Sequence, residues 1–401
     1  MARRKLWELP SLHFEEELDE HRSVSWLELF FDLFFVVTIA QLTHSLSGHL
    51  SWMAVFEFVA LFVPVWWVWV GFTYYNERFE SNGLENRLFT FSIMLPVIGL
   101  AVFAHHGMKE TFQGYVLSYA VARTILTILW LRAMINVPEF RPTGLRIVIG
   151  FGLSVILAFM AAFSMNPLCY IFFGFSLLLD LFTPLTTVKL QAKLPRLSSS
   201  KLPERFGLFV IIVLGEMVVG IVSGLAGVDQ LSTHLFVDSV LGLAFGFGIW
   251  WIYFDFIARR PPKTGNWSML WVYLHMPLVM SIAALGAGIS NWIVGHHETL
   301  PASSQQLIAS AVACALISMA LLEYCLRPAD DEPTHIHWSP LLKILGGVFA
   351  LGLGWAFPIH DSFVMMILLL FTLFIQMAYG VWVWFTQDLE ESDDGIEFVD
   401  A

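Results

Sequence analysis

The chain has 401 residues, of which 57% are hydrophobic and only 13% charged. A soluble domain carries about 25% charged residues, so the composition excludes a soluble globular protein and points to an all-α integral membrane protein. The formal charge of −12 is concentrated in the C-terminal run DLEESDDGIEFVD (388–400), which holds seven acids and no base and reads as a solvated, disordered tail.

The chain opens with Arg3, Arg4 and Lys5, followed by the acidic stretch HFEEELDEH. No apolar core follows the bases, so this is no signal peptide. Residues 1–24 form a cytoplasmic segment in which 6–22 read as an interfacial helix.

Twelve apolar segments follow, each near the roughly 20 residues that cross a bilayer. They fall at about 26–46, 54–75, 88–106, 114–134, 145–164, 166–188, 206–226, 236–257, 268–294, 304–325, 340–357 and 361–385. With these spans, almost every Lys and Arg falls on the side of the N-terminus. The exceptions are Lys109 in an opposite loop and Arg123 within a span. That bias places both termini in the cytoplasm.

The two halves echo one another. WWVWVGF (66–72) resembles WWIYFDF (250–256), and the Leu95-Pro96 pair resembles Met276-Pro277. ELFFDLFFVVTIAQ (28–41) faces ERFGLFVIIVLGEM (204–217) at a similar offset. Three echoes in one order imply two six-helix repeats, 25–188 and 206–386, in parallel orientation. The linker 189–205 is basic and rich in Pro and Ser, and an acidic cytoplasmic tail occupies 387–401.

A charge at the bilayer centre costs roughly 2.5–3.5 kcal/mol, so intramembrane charges mark either structure or a pathway. Glu28 and Asp255 fall near cytoplasmic helix ends, with Glu323, which has Arg327 at i+4. Asp32, Asp180 and His275 lie about one third of the way in, and Arg123 and Glu216 near mid-span. Arg123 reads as the one base buried at depth, to be met by Asp32, Asp180 or Glu216. Three acids against one base leave surplus negative charge, which suits a protonated or cation-binding site.

Glu28 and Asp32 lie within about 40° of each other on a helix, so they form a carboxylate stripe. Gln41 and His44 form a separate polar patch beyond it. Glycines at 215, 220, 224, 227, 242, 246, 248, 286, 288, 346, 347, 352 and 354 suit close helix packing.

Cys169, Cys314 and Cys325 lie in apolar segments and read as small hydrophobes. His335-Ile-His337 reads as a loop rather than a metal site, and His105-His106 and His296-His297 mark span ends. No nucleotide-binding or nucleophile motif stands out, so no catalytic, cofactor or metal residues are assigned.

WLELFFDLFFVVTIAQLTH (26–44), ERFGLFVIIVLGEMVVGIVSGL (204–225) and WWIYFDF (250–256) resemble the bacterial low temperature requirement protein A family. The resemblance covers nearly the whole chain. It marks Glu28, Asp32, Gln41, His44, Arg205, Gly215, Glu216 and Asp255 as the family's polar positions. It implies a multi-pass protein of the bacterial inner membrane linked to growth in the cold, and no established substrate. A fainter likeness joins Phe31-Asp32 and Thr38 to the F-S-D motif of potassium channels built from six-helix repeats.

The expected function is a proton- or cation-coupled secondary transporter of a small solute or ion, with its site between the two halves. Its pathway residues are Asp32, Arg123, Glu216, Asp180, Glu28, Asp255, His275, Gln41 and His44. The alternatives are a cation channel, or a lipid-modifying enzyme or membrane-state sensor. The expected partners are membrane lipids and not nucleic acid.

Overall fold

The computed structural model describes residues 7–12, 24–79, 83–105, 107–195, 200–226, 232–295, 301–328, 335, 337–357, 359 and 361–393, with side chains as far as 386. The described residues are built from twelve helices, and no strand occurs among them. They are α1 (Trp26–Gly48), α2 (Trp52–Phe79), α3 (Leu84–Phe103), α4 (Phe112–Asn136), α5 (Arg141–Phe163), α6 (Leu168–Gln191), α7 (Lys201–Ala226), α8 (Thr233–Phe256), α9 (Asn266–Gly295), α10 (Ala302–Cys325), α11 (Trp338–Trp355) and α12 (Ser362–Asp393). All twelve are long and apolar enough to cross a membrane. The expected all-α architecture and number of spans are therefore borne out.

Local chemistry sets the helix ends. Ser25 and Glu28 form a reciprocal capping box at the start of α1. Ser232 caps α8 by accepting from the Leu235 N–H. Helix α4 stops at Asn136, because Pro138 restricts the residue before it and supplies no N–H. A short 3-10 turn, Pro138–Phe140, then leads into α5.

The chain divides into two compact units. One comprises 1–216 with 264–270, the other 217–263 with 271–401, so the division falls within α7. In the first unit α1 packs on α2 and α3, α3 on α4, α4 on α2 and α5, and α6 on α5 and α2. In the second, α8 packs on α10 and α12, α10 on α11 and α12, and α11 on α12. The first core is aromatic: Trp66, Trp69, Phe31, Phe35 and Phe62 are wholly buried.

Three expectations change. Helix α7 begins at Lys201, so the connection after α6 is only 192–200, and Lys201 and Arg205 are helical rather than part of a basic linker. Helix α12 continues to Asp393, so the first acids of the tail sit in helical backbone instead of a disordered run. Lys343, expected among the loop bases, lies inside α11 and is buried. The interfacial helix at 6–22, the last residues of the tail, His106 and the pair His296-His297 lie largely or wholly outside the described residues. The three cysteines are free thiols.

Glycine allows the closest helix approaches. A Cβ at Gly354 on α11 would stand 2.5 Å from the Ala309 Cβ of α10, whereas one at Gly352 would meet nothing within 4 Å. Gly354→Leu is therefore expected to destabilise the protein by about 1–3 kcal/mol, while Gly352→Ala leaves it unchanged. Thermal unfolding of the two variants in detergent would check this.

Candidate functional site

Helix α1 carries its two acids in the first two turns. A carboxylate there lies in the favourable field of the helix N-terminus. Glu28 does three things at once. Its Oε2 accepts from the Ser25 N–H at 3.0 Å and from the Lys201 Nζ at 3.1 Å, and its Oε1 accepts from Arg205 Nη1 at 2.7 Å. One turn on, Asp32 Oδ1 accepts from Trp69 Nε1 at 2.8 Å and from Arg205 Nη2 at 3.4 Å. The Arg205 guanidinium thus spans both carboxylates from α7.

The network is dry. Asp32 is 0% exposed, and Glu28 and Arg205 are each 2% exposed. Phe206 and Phe209, from the same turns of α7 as Arg205, enclose the Trp69 indole at 5.0 and 4.1 Å between ring centroids. The closure leaves two atoms unmatched: Asp32 Oδ2 and Arg205 Nε have no hydrogen-bond partner among the described residues.

A second buried pair lies in the same unit. Arg123 Nη2 of α4 donates to Asp180 Oδ1 of α6 at 2.6 Å, and both side chains are fully buried. The Tyr119 hydroxyl donates to the other carboxylate oxygen. The Trp67 indole N–H donates to the Asp180 carbonyl at 2.9 Å. Phe151 lies under the guanidinium at 4.2 Å. Arg123 Nε and Nη1 have no partner among the described residues.

Glu216 differs from all of these. It lies mid-way along α7, is half-buried, and has neither an ion pair nor a hydrogen bond among the described residues. Gly215 beside it leaves open space where a side chain would stand.

In the second unit, His275 Nδ1 lies 2.8 Å from the Trp271 carbonyl, which fixes a proton on that nitrogen, and Nε2 accepts from the Tyr253 hydroxyl at 3.0 Å. Among the described residues, Asp255 makes only a long, exposed pair with Arg259, 3.4 Å away. Glu323 pairs with Lys343 at 2.7 Å, and Ser339 donates to the same carboxylate oxygen at 3.0 Å. Lys343 also lies over the Phe256 ring at 3.8 Å.

The scan against protein families matches residues 23–378 to the bacterial low temperature requirement A protein. The chain belongs to the LtrA family. This LtrA chain is also 28% identical, over 300 residues, to an uncharacterised protein of Rhizobium meliloti (strain 1021), covering 68% of the chain and 70% of that relative. The blocks that carry the resemblance in sequence, at 26–44 and 204–225, supply Glu28, Asp32 and Arg205, the residues that meet in the buried network.

The structure distributes the expected site residues unevenly. Asp180 meets Arg123 as expected, but Asp32 is taken by Arg205 and Trp69 instead. Arg123 is not the one buried base: Lys201, Arg205 and Lys343 are buried too. The argument from surplus negative charge therefore does not hold for Asp32 and Asp180, two of the three acids it counted, each of which has a cationic partner. Glu323 pairs with Lys343 and not through the helical spacing to Arg327. Gln41 is half-buried, and His44 is exposed and stacks on His105 at 6.2 Å. Besides Lys343, the residues that sequence reasoning missed are Lys201, Trp69, Tyr119 and Tyr253. Lys201 was hidden by its place in an apparent linker, and the three aromatic residues by an apolar background in which a single donor carries no pattern.

Removing one partner of a buried pair costs far more than removing a satellite hydrogen bond. Asp180→Asn strands the Arg123 charge and is expected to cost about 3–5 kcal/mol. Tyr119→Phe is expected to cost about 1–2 kcal/mol. Unfolding of both variants in mixed micelles should give that order; the reverse order would contradict the pairing.

Proposed function

We propose that this LtrA protein is a proton- or cation-coupled secondary transporter in which Glu216 carries the coupling ion. The observation that carries the reading is the contrast between Glu216 and the other carboxylates. Glu28, Asp32 and Asp180 are held by guanidinium or ammonium groups and are buried with them. Glu216 has no such partner among the described residues and keeps part of its surface accessible. A mid-span carboxylate free of counter-charge gains from a proton or a cation. The paired acids act as the frame against which that residue is presented, and Asp32, with one free oxygen, is the second candidate to bind an ion.

We read the chain as an inner-membrane protein with both termini in the cytoplasm, supported by the bias of Lys and Arg toward one side. An internal duplication is supported by a shared packing pattern. Helix α2 contacts α4 and α6 while α4 packs on α5 and α5 on α6; α8 contacts α10 and α12 while α10 packs on α11 and α11 on α12. Trp69 and Tyr253 occupy matched places in the two Trp-Trp segments, and each donates to a buried titratable group, Asp32 or His275.

Proteoliposomes loaded with a pH-sensitive dye test the transporter reading. Outward gradients of sodium or potassium are expected to drive proton movement with the native protein. Glu216→Gln should reduce it about a hundredfold or more, the loss typical of removing a proton-transfer group, and Glu216→Asp should retain part of it. Equal flux through the native protein and Glu216→Gln would discard the assignment.

A further inference from the structure

At the end of α1 opposite Glu28 the first unit holds a cavity of about 620 Å³, within the size range of small-molecule sites. It opens between the last turns of α1, the first turns of α2 and the segment joining α3 to α4. Its floor is apolar, made by Leu42, Leu46, Phe58 and Leu61. Among the described residues, its rim is rich in donors, His44, His49, His105 and Lys109, against a single acid, Glu57. None of these groups takes part in the buried network described above.

The rim is assembled rather than accidental. His44 and His105 stack with ring planes 21° apart, and the Ser45 hydroxyl donates to the His105 carbonyl at 3.2 Å. Ser51 caps α2 by accepting from the Ala54 N–H at 3.1 Å, and both residues line the cavity. The positive end of the α2 dipole adds to the preference of the donors for an anion. Lys109 Nζ stands 3.7 Å from Glu57 Oε1, too long for a direct hydrogen bond, so each keeps capacity for a ligand.

We propose that this cavity binds a zwitterionic phosphodiester bearing a primary ammonium, the headgroup chemistry of phosphatidylethanolamine. The phosphate sits among the imidazoles, Lys109 and the N-terminus of α2. The ammonium sits on Glu57, one turn further along that helix. A quaternary ammonium prefers an aromatic cage, and Phe58 is the one phenyl ring among the lining residues. A membrane source fits the surroundings: Trp52, Met53 and Phe56, which flank the entrance on α2, are 57%, 64% and 60% exposed, as residues facing acyl chains are. This inference stands apart from the transporter reading, since it uses neither Glu216 nor Asp32.

The test uses the full-length protein in nanodiscs containing equal parts of phosphatidylethanolamine, phosphatidylcholine and phosphatidylglycerol, with retained lipid counted by native mass spectrometry. Phosphatidylethanolamine should be retained about tenfold over the other two, the equivalent of one charge-assisted hydrogen bond. Glu57→Gln should remove its advantage over phosphatidylglycerol, and Lys109→Ala should lower retention of all three. Excess soluble glycerophosphoethanolamine separates the sources: failure to displace the lipid supports a membrane ligand, and displacement supports the same site filled from solution. Equal retention of the three lipids by the native protein, or an ethanolamine preference that survives Glu57→Gln, would overturn the proposal.

Discussion

The first unit depends on one electrostatic arrangement: two carboxylates at the start of α1 closed off by Arg205 and Lys201 at the start of α7. An apolar segment that begins with two acids on one face has no stable place in lipid or in an oily core. The bases of α7 cancel both charges, and the capping box gives Glu28 a second task in starting the helix. Phe206 and Phe209 then seal the assembly by packing against Trp69, one ring edge-on and the other tilted. Because Arg205, Phe206 and Phe209 share one stretch of α7, the charge pairing and the aromatic packing enforce the same register.

This arrangement sorts the polar residues into two classes. Buried acids of the first unit such as Glu28 and Asp32 are held in place by a counter-charge, as Arg123 with Asp180 also demonstrates. Replacing such pairs with apolar groups is often neutral for stability, so their value lies in specifying which helix faces meet. Glu216 is outside this class, and a functional reading therefore starts there. The His- and Lys-rimmed cavity at the far end of α1 is a third kind of environment, open at the surface and lined by donors that stand outside the buried ion pairs.

Much of the fold was legible in the sequence because membrane spans are written in long apolar runs. The helices start and stop within about five residues of the hydropathy segments, apart from the extension of α12. The largest error at a helix start, at α7, was instructive. LysLeuProGluArg at 201–205 looks like a basic loop, since nothing local reveals that Glu28 and Asp32, far away in sequence, wait to neutralise it. Charge partnerships between distant segments have no periodic signature. For the same reason Arg123 was rightly paired with an acid, yet Asp32 and Glu216 were also assigned to it. Depth alone cannot distinguish three acids whose faces point elsewhere. Lys343 was missed in the same way, its partner Glu323 being assigned to a nearer base by helical spacing.

The most direct test of the central interaction is a double-mutant cycle between Glu28 and Arg205, with unfolding free energies measured in mixed micelles for Glu28→Gln, Arg205→Gln and the pair. A buried, shared ion pair predicts that the double variant loses less than the sum of the single losses, with a coupling of about 1.5 kcal/mol or more. Strictly additive losses would mean that the two residues act independently and that the closure of α1 by α7 does not hold the unit together.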